Sequence, residues 1–127
     1  MTIFIDHFSE FLQHPESQHV VVGDNANFSC TIRHVTDVTW YAFFPNGTYE
    51  ALRRGTVNVI GIPFQEHVND DLYTTVTVVA TQTWNNTIIR CYANYGTVPQ
   101  LSNNASLIVY MSLSESVHNH TIRATPI

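Results

Sequence analysis

The chain contains side chains that bind metals or act in catalysis, but their spacing fits neither task. Among the seven histidines, only His118 and His120 approach the two-apart or four-apart spacing of zinc ligands. The pair Asp70 and Asp71 lacks the run of alternating acidic residues that a calcium loop needs. No Gly-x-Ser-x-Gly or His-Glu-x-x-His motif occurs. We therefore expect a protein that is not an enzyme and has no catalytic residue, no metal site and no cofactor.

The two cysteines lie in segments whose pattern gives them a structural role. Both segments alternate apolar and polar residues, and the apolar positions are Ala26, Phe28, Cys30 and Ile32 in the first and Ile89, Cys91 and Ala93 in the second. Alternate side chains of a strand point to the same face, so both cysteines are predicted to face a core. Trp40 is predicted to face it too, since it shares its parity with Val38 and Ala42. Two inward cysteines on strands far apart in sequence are what a bridge between two packed sheets requires.

The order Cys30, Trp40, Cys91 resembles the Cys-Trp-Cys pattern of the immunoglobulin fold. Further segments resemble the strands of that family in order, namely residues 14–24, 27–30, 37–41, 73–78, 91–96 and 105–109. The resemblance covers nearly the whole chain. It implies an all-β protein, an immunoglobulin-like β-sandwich of two antiparallel sheets with Greek-key connections, with a Cys30–Cys91 disulfide beside the core residue Trp40.

The chain departs from the family pattern just before the second cysteine. The family usually carries Asp-x-Gly-x-Tyr there, whereas residues 85–90 read Asn-Asn-Thr-Ile-Ile-Arg. Ile89 replaces the tyrosine and Asn85 replaces the acid. The resemblance therefore favours an intermediate-set module of adhesion proteins and receptors over an antibody-like variable domain, and both alternatives remain open.

Length and charge limit the number of domains and the class of partner. A chain of 127 residues is long enough for one domain with a core. We expect residues 1–13 to be an N-terminal strand or linker, 14–112 the immunoglobulin-like domain, and 113–127 a flexible tail or linker. The net charge is -5, and the five basic residues are scattered arginines without a lysine. We therefore expect no nucleic-acid partner and no membrane contact by this chain.

Five Asn-x-Ser/Thr sequons are more than composition alone would be expected to give, and they predict an extracellular glycoprotein. The predicted glycosylation sites are Asn27, Asn46, Asn85, Asn104 and Asn119. The paired cysteines indicate the same oxidising compartment. Residues 1–8 lack the basic start and apolar stretch of a signal peptide. From the cysteines and the sequons we expect a secreted protein or a piece of a cell-surface ectodomain. The parent of such a piece would be membrane-anchored.

Composition and turn signals give the remaining elements. After a turn at residues 45–47, residues 49–53 are expected to return as a strand. Residues 56–62 are rich in Val and Ile, which favours a strand. Residues 65–71 and 96–103 are expected to form loops.

The outward positions of three strands carry apolar groups where a solvated sheet would be polar. They are Tyr41 and Phe43 on the Trp40 strand, Ile88, Arg90 and Tyr92 on the Cys91 strand, and Ile108 and Tyr110 on the last strand. Aromatic and aliphatic groups with one arginine are typical of interface cores. All of these positions except Ile88 are predicted to bind a protein partner, and a second copy of the chain is one candidate.

Any one of these apolar side chains would be equally well accounted for if it were buried under a further strand or under residues 2–12, whereas the set together favours an interface. If the whole face were buried, the domain would be a structural spacer in a multi-domain ectodomain. A secreted, immune-type ligand-binding domain is a third alternative.

Overall fold

The computed structural model describes residues 10–94, 100–112 and 125–126, and within these ranges the chain forms eleven strands and one short 3-10 helix. The strands are β1 (Glu10–Gln13), β2 (Gln18–Val21), β3 (Asn25–Arg33), β4 (Asp37–Phe43), β5 (Tyr49–Leu52), β6 (Phe64–Val68), β7 (Asp71–Val79), β8 (Thr87–Asn94), β9 (Gln100–Leu101), β10 (Ala105–Met111) and β11 (Thr125–Pro126). The helix, Gln82–Trp84, connects β7 to β8.

The strands form two sheets that pack face to face. The first sheet has the order β1-β3-β7-β6, and the second has the order β11-β10-β8-β4-β5. In the second sheet, β2 pairs with β10 in parallel and β9 pairs with β8. The connections from β3 to β4, β5 to β6 and β7 to β8 each pass from one sheet to the other. The predicted β-sandwich of two mainly antiparallel sheets is confirmed.

The core between the sheets follows from the alternation of apolar side chains. In β3 the side chains of Ala26, Phe28, Cys30 and Ile32 are at most 1% exposed. A Cys30–Cys91 disulfide joins β3 to β8, and Trp40 on β4 is buried. Ile89 is fully buried as part of this core.

The edge of the first sheet differs from the sequence prediction. Residues 65–71 were expected to be a loop, and this prediction was wrong because Phe64–Val68 pairs with β7 as strand β6. All five residues of β6 are exposed, so this edge strand shows no apolar alternation. Residues 56–62, whose composition favours a strand, form turns with one isolated bridge between Val59 and Val78.

Both predicted terminal segments contain short paired strands. β1 lies in the segment 1–13 and pairs with β3, and β11 lies in the segment 113–127 and pairs with β10. The domain boundaries stay a prediction, since residues 1–9, 113–124 and 127 lie outside the described residues. In the described part of the chain, no helix has the length and apolar character needed to cross a membrane.

Candidate protein-binding surface

An aromatic patch lies on the outward face of the second sheet. Tyr41 and Phe43 project from β4, and Tyr92 projects from the neighbouring strand β8. Strand pairing adds two residues, because Tyr49 lies opposite Phe43 and Leu101 lies opposite Tyr92. These five side chains, which we call the aromatic patch, line a shallow depression of about 320 Å³.

The rings of the patch contact one another around Tyr41. Ring centroids are 5.6 Å apart for Tyr41 and Tyr92, 6.1 Å for Tyr41 and Tyr49, and 6.2 Å for Tyr41 and Phe43. Phe43 and Tyr49 are 5.8 Å apart. These separations and the tilted or edge-on orientations are those that aromatic pairs prefer. The rings therefore hold one another in place before any partner is bound.

The patch remains open to solvent. Tyr49 is 67% exposed and Leu101 is 38% exposed, while Tyr41, Phe43 and Tyr92 are half-buried. β1, which includes part of the segment that was considered as a cover for this face, pairs with β3 in the other sheet. Among the described residues, no additional strand covers the patch.

The outward face of the first sheet has the polar character that a solvated sheet usually shows. Ser29 and Thr75 share a hydrogen bond of 3.0 Å, and Thr77 donates a hydrogen bond of 2.6 Å to Asn27. Exposed apolar side chains on that sheet lie on its two edge strands, such as Leu12 on β1 and Phe64 on β6, and at Tyr73 near the start of β7. The centres of the two outward faces therefore differ in chemistry.

Arg90 lies beside the patch with its side chain fixed. It pairs with Tyr41 across β8 and β4, and its Nε donates a hydrogen bond of 2.8 Å to the carbonyl oxygen of Ser102. The hydroxyl of Ser102 accepts a hydrogen bond from the backbone N–H of Cys91, so the irregular link between β9 and β10 is held against β8. None of the five patch side chains is charged, and Arg90 supplies one positive charge next to them.

Ile108 and Tyr110 lie apart from the patch. β10 pairs with β8 through residues 105–107, so both residues extend past the end of β8 and lie beside β2. There the hydroxyl of Tyr110 lies 3.1 Å from Nδ1 of His19, and the two rings stack at 6.0 Å. The structure thus brings together Tyr41, Phe43, Tyr92 and Arg90 but places Ile108 and Tyr110 in a second cluster.

No protein-family model and no curated protein matches the chain. In the part of the chain that the structure describes, no three histidine, cysteine or carboxylate side chains gather as a metal site. His118 and His120 lie outside that part.

Two residues of the patch were not predicted from the sequence. Tyr49 had a usable signal, because a five-residue connection after Phe43 returns the chain with Tyr49 opposite Phe43. Leu101 lies in residues 96–103, which were expected to be a loop, and only its pairing with Tyr92 reveals its position. His19, the partner of Tyr110, likewise had no sequence signal.

The sequons differ in how accessible they are. Asn27, Asn46 and Asn104 are exposed. Asn85 was expected to be open, but it is half-buried because its side-chain oxygen accepts a hydrogen bond of 2.8 Å from the backbone of Val109. Asn119 lies outside the described residues. Asn104 directly precedes the Ala105–Ile89 pair, so a glycan there would stand on the β10 side of the patch and leave its β5 side open.

Proposed function

We propose that the chain is an extracellular immunoglobulin-superfamily domain that serves a cell-surface adhesion or recognition receptor as a protein-binding module. The family assignment is supported by the strand order of the two sheets, which follows the arrangement of immunoglobulin domains. It is also supported by the Cys30–Cys91 disulfide beside the buried Trp40. The disulfide and the sequons favour a secreted or cell-surface location.

The observation that carries the binding proposal is the exposed, uncharged aromatic patch. Tyrosine and other aromatic residues are enriched at the centres of protein interfaces, where they bury large areas with few rotatable bonds. The tyrosines also place hydroxyl groups among the apolar rings, so the patch offers hydrogen bonds as well as apolar contact. Because the rings already contact one another, ordering them on binding costs little entropy.

We propose that the partner is a second copy of the chain. Two copies with a net charge of -5 each repel one another. A symmetric dimer places the same surface of both copies in contact, so a charged surface would repel itself. The patch contains no charged side chain, and Arg90 beside it is positive, opposite in sign to the net charge of the chain. It is therefore a region where two copies meet without repulsion between negative side chains.

A dilution series of the isotope-labelled chain, followed by amide chemical shifts, tests this proposal. We expect concentration-dependent shifts at residues of β4, β5, β8 and β9 around the patch, with little change on β3 and β7. Shifts that do not change up to the highest soluble concentration would contradict self-association through the patch. Concentration-dependent shifts confined to β6 would place the self-contact at the edge of the first sheet instead.

A further inference from the structure

An apolar depression lies beside one of the sequons, at the end of the sandwich where β4 connects to β5. It has a volume of about 410 Å³ and is lined by Phe44, Pro45, Asn46, Thr48, Thr83 and Trp84. The rings of Phe44 and Trp84 meet edge to face at 5.1 Å. Trp84 is nearly buried and Phe44 is half-buried, so the depression has a firm aromatic floor. Its volume is within the range of about 300–1,000 Å³ typical of small-ligand sites.

The side chain of Asn46 is fixed at the wall of this depression by its own sequon. Its Oδ1 accepts hydrogen bonds of 2.9 Å from the backbone N–H of Thr48 and 2.7 Å from the hydroxyl of Thr48. Nδ2 of Asn46, the atom that carries an N-linked glycan, has no hydrogen-bond partner among the described residues. Gly47 provides the positive φ of 93° that this tight turn needs.

The other sequons in the described ranges lack this combination. Asn27 lies within β3, and the depression next to it is lined by polar side chains. Asn85 is half-buried. Asn104 is exposed and lies on the open face of the second sheet. Asn46 alone among them has an exposed side chain, an accepting oxygen bonded to its own sequon hydroxyl, and an adjoining apolar depression.

We propose that Asn46 carries an N-linked glycan whose first N-acetylglucosamine packs into the depression formed by Phe44, Pro45 and Trp84. This inference rests on the extracellular location in the proposed function. One face of a pyranose ring presents mainly C–H groups, and such a face packs well on aromatic and proline rings. The acetyl methyl group supplies a second apolar contact. The sugar would therefore cover apolar surface that is otherwise exposed to water.

The modification is a group transfer that needs a glycosyl donor from the secretory pathway. Nδ2 of Asn46 forms a bond to C1 of the reducing-end N-acetylglucosamine of a lipid-pyrophosphate-linked oligosaccharide. The bond between C1 and the pyrophosphate oxygen breaks, Nδ2 loses one proton, and the lipid pyrophosphate leaves. An oligosaccharyltransferase catalyses this step, and the chain itself supplies only the acceptor and the site into which the sugar packs.

The test uses the full chain secreted from a eukaryotic host and then trimmed enzymatically to one N-acetylglucosamine at each occupied asparagine. Glycopeptide mass spectrometry is expected to show Asn46 occupied. In proton NMR spectra, the acetyl methyl of the Asn46-linked sugar is expected to shift upfield, because it lies near the rings of Phe44 and Trp84. Nuclear Overhauser contacts from this methyl to those rings are also expected. The matched control is the sugar on Asn104, which should show neither effect.

Several outcomes would overturn the inference. An unoccupied Asn46, or an acetyl methyl that resonates at the same position on Asn46 as on Asn104, contradicts it directly in the unmutated chain. In the variant Phe44→Leu, the upfield shift should shrink while occupancy stays unchanged, and an unchanged shift would count against the packing. If Asn27 or Asn104 is occupied and Asn46 is not, only this inference fails. If every sequon is empty in the secreted chain, the extracellular part of the proposed function is also contradicted.

Discussion

The indole nitrogen of Trp40 donates a hydrogen bond of 2.9 Å to the hydroxyl oxygen of Thr74, and this bond connects the two sheets inside the core. Both residues are about 1% exposed, so water cannot replace either partner. The large indole therefore needs a polar acceptor on the opposite sheet, and Thr74 provides it.

The substitution Thr74→Val is expected to destabilise the domain by about 1–3 kcal/mol, because it keeps the shape of the side chain but leaves the buried indole N–H without an acceptor. Denaturant unfolding measures the change. A double-mutant cycle with Trp40→Phe isolates the bond. If Thr74→Val costs the same free energy in the Trp40→Phe background, the bond does not contribute to the stability of the core.

The same substitution at Thr87 is not expected to destabilise the domain. Thr87 is fully buried, and its hydroxyl has no hydrogen-bond partner among the described residues. Thr87→Val removes this unsatisfied group, so we expect unchanged stability or a gain of about 1 kcal/mol. Unfolding should be measured on unglycosylated protein, because Thr87 also belongs to the Asn85 sequon. A loss of stability similar to that of Thr74→Val would indicate that the Thr87 hydroxyl has a bonded partner in solution.

Reduction of the Cys30–Cys91 disulfide is expected to lower the free energy of unfolding by about 4 kcal/mol, because the bond closes a loop with a sequence separation of 61 residues. The folded chain should show no free thiol until it is both denatured and reduced. Two free thiols per folded chain, or an unchanged melting temperature after reduction, would contradict the pairing.

The alternation of side chains was enough to predict the central residues of the core, but not core residues outside the strands such as Val35 and Trp84. The alternation within each strand predicts that Cys30, Trp40 and Cys91 face inward, and all three residues are buried as expected. The edge strand β6 could not be found in this way, because both of its faces are exposed and its sequence does not alternate.

The composition of the aromatic patch depends on how the strands pair, which the alternation of side chains along one strand cannot predict. Ile108 and Tyr92 both occupy outward-facing positions of their own strands. β10 nevertheless pairs with β8 through residues 105–107, and Ile108 extends past the end of β8. Conversely, Leu101 joins the patch because a two-residue strand pairs it with Tyr92. The alternation along a strand predicts which face of the sheet a side chain lies on. Its position on that face depends on how the strand pairs with its neighbours.

Secretion from a eukaryotic host is expected to add glycans at Asn27, Asn46 and Asn104, with the lowest occupancy at Asn85. The folded structure exposes the first three, whereas the side-chain oxygen of Asn85 is bonded to the backbone of β10. Site-resolved glycopeptide analysis gives the occupancies. If Asn85 is fully modified while the exposed sites are empty, accessibility in the folded domain does not govern modification.

The aromatic patch is expected to carry most of the free energy of self-association. Replacing Tyr92 or Phe43 by alanine should weaken it by about 2 kcal/mol, roughly a 30-fold rise in Kd, because central aromatic side chains dominate interface energies. Tyr49→Ala should act in the same direction, and it should leave folding intact because Tyr49 is 67% exposed. Tyr73→Ala is the matched control, since Tyr73 is an exposed tyrosine on β7 in the first sheet.

Sedimentation equilibrium of the full chain and these variants, over micromolar to millimolar concentrations, tests the central claim most directly. We expect the unmutated chain and Tyr73→Ala to form dimers with the same Kd, and Tyr92→Ala, Phe43→Ala and Tyr49→Ala to dimerise far more weakly. A chain that stays monomeric throughout, or one whose dimerisation is weakened by Tyr73→Ala and not by the patch variants, would contradict the assignment of the patch as the protein-binding surface.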